Sequence, residues 1–341
     1  MNWGMLGHDW AVDLLQKHVA NNEVRHAYLF IGSRGVGRRT LALRFAQALN
    51  CINPPIPGEP CNKCRICTQT FRMTHPDLSV IQAEQEGGTL KVDQIRDLQY
   101  RLSLHPYEAK YRVALLIRFE EANSNAMNAL LKTLEEPAPQ VILVLTAESV
   151  ESLLPTIVSR CEVMKLRPLS LDKLTHGLQS GWNLPEENAR LLAHISLGRP
   201  GYAILFNENP DQLMRRGLWL EEHMNLLQSN RVERFSFAHH QSEDKASSRN
   251  KLQVWLSLWR DIFLKATGAS VPLVNLDRIQ DIEGLAVMHG SKVSFGVVKA
   301  IENTLSMLEK NINVRLALEI LMLDLPMSAT YLAARGKPEK V

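Results

Sequence analysis

Residues 32–40 read Gly32-Ser33-Arg34-Gly35-Val36-Gly37-Arg38-Arg39-Thr40 and directly follow the apolar run Ala27-Tyr28-Leu29-Phe30-Ile31. Beyond them, apolar residues recur at helical spacing at Leu41, Phe45, Ala48 and Leu49. An apolar run, a loop with three glycines and an amphipathic segment predict a strand, a phosphate-binding loop and a helix. This unit indicates an α/β fold.

The loop keeps the glycines of a nucleotide-binding motif but not its catalytic side chains. In the intact motif a Lys after the last glycine contacts the terminal phosphates, and the next residue, Ser or Thr, binds Mg²⁺. Arg38 and Arg39 occupy those positions. An Arg can contact a phosphate but cannot bind a metal cation, and Thr40 comes one residue too late around the helix. ATP or ADP binding therefore stays open, and hydrolysis is not expected. The candidate loop residues are Gly32, Gly35, Gly37, Arg38, Arg39 and Thr40.

Four of the five cysteines lie within residues 51–67, as Cys51, Cys61, Cys64 and Cys67. Zn²⁺ takes four thiolates at tetrahedral corners, and each C-x2-C step places two sulfurs beside one tight turn. In a cytosolic chain such a cluster favours a metal over its alternatives, disulfides or unligated thiols. All four positions are filled, so we predict a structural zinc site. Cys161 is expected to be a small buried residue.

Composition suggests several domains and no membrane segment. A length of 341 residues corresponds to two or three domains at ~150 residues each. No window approaches the ~20 apolar residues of a membrane span, and Met1 to Gly4 does not begin a signal peptide. We therefore expect a cytoplasmic protein without membrane contact. The net charge of +3 is small, but the loop region is locally basic. Its arginines are Arg25, Arg34, Arg38, Arg39 and Arg44.

Strands and helices alternate after the cysteines. The predicted strands are 77–81, 113–117 and 141–146, and the predicted helices are 92–102 and 124–136, the latter with Ser124 as N-cap. Strands joined by crossover helices predict a parallel sheet.

The strand at 113–117 lacks the acidic end that an ATPase needs. In an active enzyme the strand ends in Asp and Glu, which hold Mg²⁺ and polarise the attacking water. Here it ends in Ile117 and Arg118. Glu120 and Glu121 come later, and we expect them on the solvated start of the next segment. A second catalytic position is therefore missing.

Five features occur in a diagnostic order along the chain. They are the strand and glycine loop, the four-cysteine insertion, Thr74-His75-Pro76-Asp77, the run from Asn128 to Pro137, and Ser159-Arg160-Cys161. Over roughly residues 20–165 the chain resembles subunits of the bacterial DNA polymerase III clamp loader, of the AAA+ class. Its altered loop and acidic motif resemble the delta-prime branch rather than the ATP-hydrolysing gamma/tau branch.

The resemblance implies a role for Arg160. In the family this arginine projects across a subunit interface and contacts the γ-phosphate bound by the neighbour. The alternative is a local ion pair with a carboxylate such as Glu162. Thr146 resembles a phosphate sensor, but a turn-capping role is equally compatible. The sensor arginine of active relatives is replaced by Gly201, and Arg199 is expected to be a solvated loop residue.

The resemblance also implies three domains and a set of partners. We expect a RecA-like α/β domain at 1–166 with the zinc module at 51–67, a helical lid at 167–207 and a helical collar at 208–341. Apolar stripes at helical spacing predict core there, with some faces buried between subunits. One stripe holds Leu316, Ile320 and Leu323. Residues 241–248 are expected to form an exposed loop, and the tail at 336–341 to be disordered.

The implied function is that of a non-hydrolysing, delta-prime-like subunit that supports ATP-driven loading of a sliding clamp. Its partners would be gamma/tau and delta subunits, with the clamp and primed DNA reached through the complex. One alternative is an active gamma/tau-like ATPase, which would need the missing magnesium ligands. Another is a zinc-dependent nucleic-acid-binding module. Against it, the segment between the cysteines carries only Lys63 and Arg65 as basic residues and no aromatic for base stacking.

Overall fold

The computed structural model describes residues 2–85, 87–310 and 312–327. The chain divides into two units, Met1–Trp182 with Gly198–Tyr202, and Asn183–Leu197 with Ala203–Val341. The domain limits after residues 166 and 207 stay predictions. The tail at 336–341, expected to be disordered, lies outside the described residues.

A five-stranded sheet forms the centre of the first unit. Its strands are β1 (Ala27–Ile31), β2 (Leu78–Ile81), β3 (Arg112–Leu116), β4 (Val141–Ala147) and β5 (Glu162–Lys165). The order is β2-β3-β4-β1-β5, and all neighbouring strands are parallel. Leu29 in β1 lies opposite Leu145 on one side and Val163 on the other. The predicted parallel sheet is confirmed.

Helices cover both faces of the sheet. The helices of this unit are α1 (Asp9–Ala20), α2 (Arg38–Asn50), α3 (Arg65–Phe71), α4 (Val92–Leu102), α5 (Ser124–Glu135), α6 (Pro155–Val158) and α7 (Leu171–Trp182), and residues of α1, α2, α4, α5 and α6 pack on the sheet. Tyr28 and Phe30 of β1 point into one apolar cluster, which includes Phe45 of α2. Leu29 points into the other, with residues of α4 and α5. This alternation follows from the two-residue period of a strand.

The N-cap of α5 differs from the prediction by one residue. Asn123, not Ser124, caps the helix, and its Oδ1 accepts the N–H of Ala126 at 2.8 Å. Asn123 has the extended backbone of a cap, whereas Ser124 is already helical.

The second unit is helical. Its helices are α8 (Glu186–Ile195), α9 (Pro200–Glu208), α10 (Pro210–Gln228), α11 (Arg231–Gln241), α12 (Lys245–Ala266), α13 (Ile279–Glu309) and α14 (Val314–Asp324). The division between the units falls inside α9. The core contains Trp255 and Trp259 of α12, both fully buried. The expected loop at 241–248 is wrong for its second half, because Asp244 caps α12 through the N–H of Ser247.

One predicted core stripe lies on the surface. Leu316, Ile320 and Leu323 of α14 are 52%, 40% and 57% exposed. The helix buries its other face, which carries Leu318 and Leu321. The core expectation is therefore wrong for this stripe, since α14 is apolar on two faces and the unit covers one. In the part of the chain that the structure describes, no helix combines the length and apolarity needed to cross a bilayer.

Candidate functional site

Three loops meet at the carboxyl edge of the sheet. They follow β1, β3 and β4, which are neighbours, and the carboxyl ends of parallel strands lie at one edge. The N–H of Gly32 donates to the carbonyl of Ala147 at 3.2 Å. The hydroxyl of Thr146 accepts the N–H of Arg118 at 2.9 Å. Thr146 thus holds the turn after the neighbouring strand β3, not the turn after its own strand that the capping alternative supposed.

The glycine loop is covered by its own chain. Gly35 has a φ of 80°, and a Cβ placed on it would lie 2.4 Å from Cδ2 of Tyr202. The N–H of Gly201 donates to the carbonyl of Gly35 at 2.7 Å. A Cβ on Gly201 would lie 2.9 Å from that carbonyl oxygen. A larger residue at 201, such as a sensor arginine, would disturb this contact.

Arg38 and Arg39, which occupy the positions of the Lys and the Ser or Thr of the intact motif, have different surroundings. Arg38 is the first residue of α2 and is only 8% exposed. Its Nη1 is buried without a hydrogen-bond partner among the described residues, and burial lowers its pKa. Arg39 is exposed and donates from Nη2 to Sδ of Met73 at 3.3 Å. Thr40 is also exposed. The positions that would serve magnesium therefore lie on the outer side of α2.

Glu120 and Glu121 fold back toward the glycine loop, so the expectation that they are solvated is wrong. The Glu121 side chain is 7% exposed, and its Oε1 lies 2.9 Å from Nε of Arg118. Both carboxylate oxygens of Glu120 are buried and have no hydrogen-bond partner in the described ranges. Burial raises the pKa of Glu120. The cause is a 3₁₀ turn over Phe119–Glu121, which buries Phe119 directly after β3.

Acidic side chains pair with two of the arginines near the loop, Arg34 and Arg25. Arg34 Nε lies 2.6 Å from Glu148 Oε1, and Arg34 Nη2 lies 3.8 Å from Glu121 Oε1. Arg25 pairs with Glu162 at 3.1 Å. Carboxylates that follow β3 and β4 or lie in β5 therefore offset two of the five arginines of the locally basic region.

The four cysteines of the insertion come together. The sulfurs of Cys51, Cys61, Cys64 and Cys67 all lie within 4.8 Å of one another. A tetrahedral zinc site with Zn–S bonds of about 2.3 Å requires sulfurs about 3.8 Å apart, and Cys61 and Cys67 are 4.0 Å apart. The cluster could hold a metal ion.

Two helices position these sulfurs. Cys51 is the C-cap of α2, and Cys64 is the N-cap of α3. Before Cys51, the side-chain amide of Asn50 both donates to and accepts from the backbone of Tyr111, each at 2.9 Å. The cysteine segment thus begins directly after a residue, Asn50, that is hydrogen-bonded to the backbone next to β3.

Backbone donors favour the thiolate form at Cys61, whereas burial raises the pKa of Cys51 and of Cys67. The N–H of Cys61 donates to Sγ of Cys51 at 3.3 Å, and the N–H of Cys64 to Sγ of Cys61 at 3.3 Å. Burial opposes ionisation of Cys61, but the N–H groups of Lys63 and Cys64 outweigh it and lower its pKa to about 6. Thiolates are the form that binds Zn²⁺.

Arg160 follows α6 and is one-third exposed. Its Nη2 lies 2.7 Å from Oε1 of Glu135 at the end of α5, and its Nη1 donates to the carbonyl of Thr156 at 2.9 Å. The local partner of Arg160 is therefore Glu135, not Glu162, which pairs with Arg25. Sequence spacing gave no sign of this pair, since 25 positions separate the two residues.

Two remaining expectations have opposite outcomes. Arg199 is half-buried, with its guanidinium 4.5 Å from the ring centre of Tyr202, so the expected solvated arginine is wrong. Cys161 packs against the apolar cluster beneath α5, and burial raises its pKa to about 12. It is not among the four clustered cysteines, as expected.

Residues 7–170 match the family model described as DNA polymerase III, delta subunit. The chain is 28% identical over 316 residues to "DNA polymerase III subunit delta'" of Bacillus subtilis, covering 92% of this chain and 94% of that protein. It is 38% identical over 175 residues to the protein of the same name from Pseudomonas aeruginosa, covering 50% of this chain and 51% of that protein. Gamma and tau subunits of DNA polymerase III also match about half of the chain.

A solved structure with a similar fold is a DNA polymerase III, gamma subunit-related protein from Thermotoga maritima. It superposes with a TM-score of 0.54 at 18% identity, over 92% of this chain and 98% of that one. At this identity the likeness concerns the fold alone.

Proposed function

On the premise that this chain is a relative of the DNA polymerase III clamp-loader subunits delta-prime and gamma/tau, we propose that it is a delta-prime-like subunit that does not hydrolyse ATP. It would support loading of a sliding clamp onto primed DNA by a complex whose other subunits bind and hydrolyse ATP. The proposed partners are gamma/tau and delta subunits directly, and the clamp and DNA through the complex.

The observation that carries the non-hydrolysing role is the contact of Gly35 with Gly201 and Tyr202. It covers Gly35 with the chain's own atoms, and we expect this to limit the space for a nucleotide. Arg39 supports the same conclusion, because it replaces the magnesium ligand and lies against Met73. The strand end at Arg118 offers no carboxylate to hold Mg²⁺ directly after β3. Glu120 does not take that position, since it lies in the 3₁₀ turn after the strand end rather than at it.

Exposed apolar surface in the second unit supports assembly with other subunits. Leu316, Ile320 and Leu323 form a stripe on α14, and α13 exposes Val287 and Phe295. Apolar surface of this kind is typical of protein–protein contact. We assign it to a collar formed with the corresponding helices of the partner subunits.

The cysteine cluster is proposed to hold one structural zinc ion. Four ligands complete a tetrahedral shell, so no position is left for substrate or water. When bound, the ion would fix the segment between α2 and α3.

Arg160 is proposed to act in trans. Its own domain has no intact nucleotide site to serve, and its guanidinium is partly exposed. In a ring it would contact the γ-phosphate held by the neighbouring subunit and stabilise charge in the transition state.

The test is ATP hydrolysis by this chain alone and in mixture with a gamma/tau partner, clamp and primed DNA. The proposal expects no turnover by the chain alone and stimulated turnover in the mixture. Arg160→Ala should lower the stimulated rate only in part, because the sites that do not face this subunit keep their own arginines. Full activity of the Arg160→Ala complex would contradict the role in trans. Magnesium-dependent turnover by the chain alone would contradict the non-hydrolysing role.

A further inference from the structure

The guanidinium of Arg160 is held at two points on one side. Thr156 accepts a hydrogen bond from Nη1 at 2.9 Å, and Glu135 accepts one from Nη2 at 2.7 Å. These acceptors belong to α6 and α5. Arginine has five N–H donors, so the remaining N–H groups are available to another acceptor. The side chain is 34% exposed, so it is only partly covered by the described residues.

The position of Glu135 is unfavourable for its own helix. It is the last residue of α5, where the free carbonyl groups carry partial negative charge and an acidic side chain is destabilising. Arg160 compensates this charge. Glu135 is therefore destabilising for α5 unless it is paired, and its partner is Arg160, the residue proposed to act on the neighbour's phosphate.

We propose that Glu135 is a positioning residue for Arg160. It orients the guanidinium before the subunits meet, so that its remaining N–H groups can bind the neighbour's γ-phosphate. This inference rests on the proposed role of Arg160 in trans. The contact uses a single carboxylate oxygen, and Glu135 is 50% exposed. A solvated bond of this kind is weak enough to adjust when phosphate arrives.

The expected effect is modest and lies in the chemical step. Glu135→Ala in the assembled complex should lower the kcat for ATP by about two- to fivefold, the factor that corresponds to an exposed ion pair. The KM for ATP should not change, because the finger acts on the transition state. Glu135→Gln keeps an acceptor oxygen and should restore most of the rate. Glu136→Ala is the matched control, since Glu136 is an exposed neighbour at the same helix end, and it should leave kcat unchanged.

A double-substitution cycle separates positioning from a structural role. If Glu135 acts through Arg160, then Glu135→Ala should have no further effect in an Arg160→Ala complex. An equal loss in both backgrounds, or a loss that parallels reduced assembly, would overturn the inference. A damaging Arg160→Ala with a neutral Glu135→Ala would overturn it while sparing the proposed function. A neutral Arg160→Ala would overturn both.

Discussion

The glycine loop and the cysteine cluster lie at opposite ends of α2 and satisfy their polar groups in opposite ways. At the start of the helix, the chain covers Gly35 with its own residues and balances Arg34 with Glu148. At the other end, four sulfurs face one another and receive only weak N–H donors. We infer from the difference that the cysteine cluster, unlike the glycine loop, is arranged to hold an ion from outside.

Loss of a cysteine should give the largest effect. Cys61→Ser is expected to lower the zinc content from about one ion per chain to near zero, because a structural site needs all four thiolates. The α/β core should remain folded. Elemental analysis and thermal unfolding are the measurements. Cys161→Ser, the control, should keep the metal. Full zinc content in Cys61→Ser would contradict a four-thiolate zinc site at the C-terminal end of α2.

Gly35→Ala should disturb the covered loop. The new methyl would meet the Tyr202 ring at a positive φ, and we expect a loss of about 2 kcal/mol in the free energy of unfolding, measured by denaturant titration. Gly87→Ala is the matched control, since Gly87 has a φ of 77° with nothing within 4 Å of the added Cβ. Equal losses in the two variants would mean that the Tyr202 contact contributes nothing.

Glu120→Gln should stabilise the protein slightly at neutral pH. Burial raises the folded-state pKa of Glu120, so ionisation costs native stability once the pH exceeds the unfolded-state value. The gain from Gln should therefore be absent in acid, appear as the pH rises through the unfolded and then the folded pKa, and persist above both. Melting temperatures across this range test it. Glu148→Gln, which removes an exposed partner of Arg34, should give no such gain. A destabilised Glu120→Gln at neutral pH would contradict the desolvation argument.

Restoring the motif should have the smallest effect. The double variant Arg38→Lys with Arg39→Thr returns the consensus side chains, but Tyr202 still packs on Gly35, and Ile117 and Arg118 still follow β3 where an ATPase has acidic residues. We expect no ATP turnover above the blank in a phosphate-release assay with Mg²⁺. Clear turnover would show that only two side chains separate this loop from an active one.

Local spacing predicts much of this molecule. The strand, loop and helix from Ala27 to Asn50 follow from an apolar run and three glycines, and the C-x2-C steps fix where the sulfurs cluster. Both features depend on neighbouring residues. The sequence did not predict β5. Met164 is the only buried residue of this strand, so the strand shows neither an apolar run nor clear alternation.

Contacts between distant segments could not be predicted. The sequence around Glu120 does not show that a 3₁₀ turn directs its side chain toward the glycine loop. The pairing of Arg160 with Glu135 depends on how α5 and α6 pack. The exposed stripe on α14 has the same helical period as a buried stripe. Whether such a stripe is buried depends on which other helices pack against it, and the sequence does not show this.

The double hydrogen bond of Asn50 to Tyr111 also limits how far disorder can spread through the chain. Segments of a native protein open as separate cooperative units, each with its own free energy. If the metal leaves, opening should begin at Cys51 and proceed away from α2, since Asn50 remains tied to the residue before β3. Amide hydrogen exchange would then quicken in residues 51–72 and stay slow in α2. The cysteine segment could thus open and close many times during the life of a chain whose sheet never unfolds.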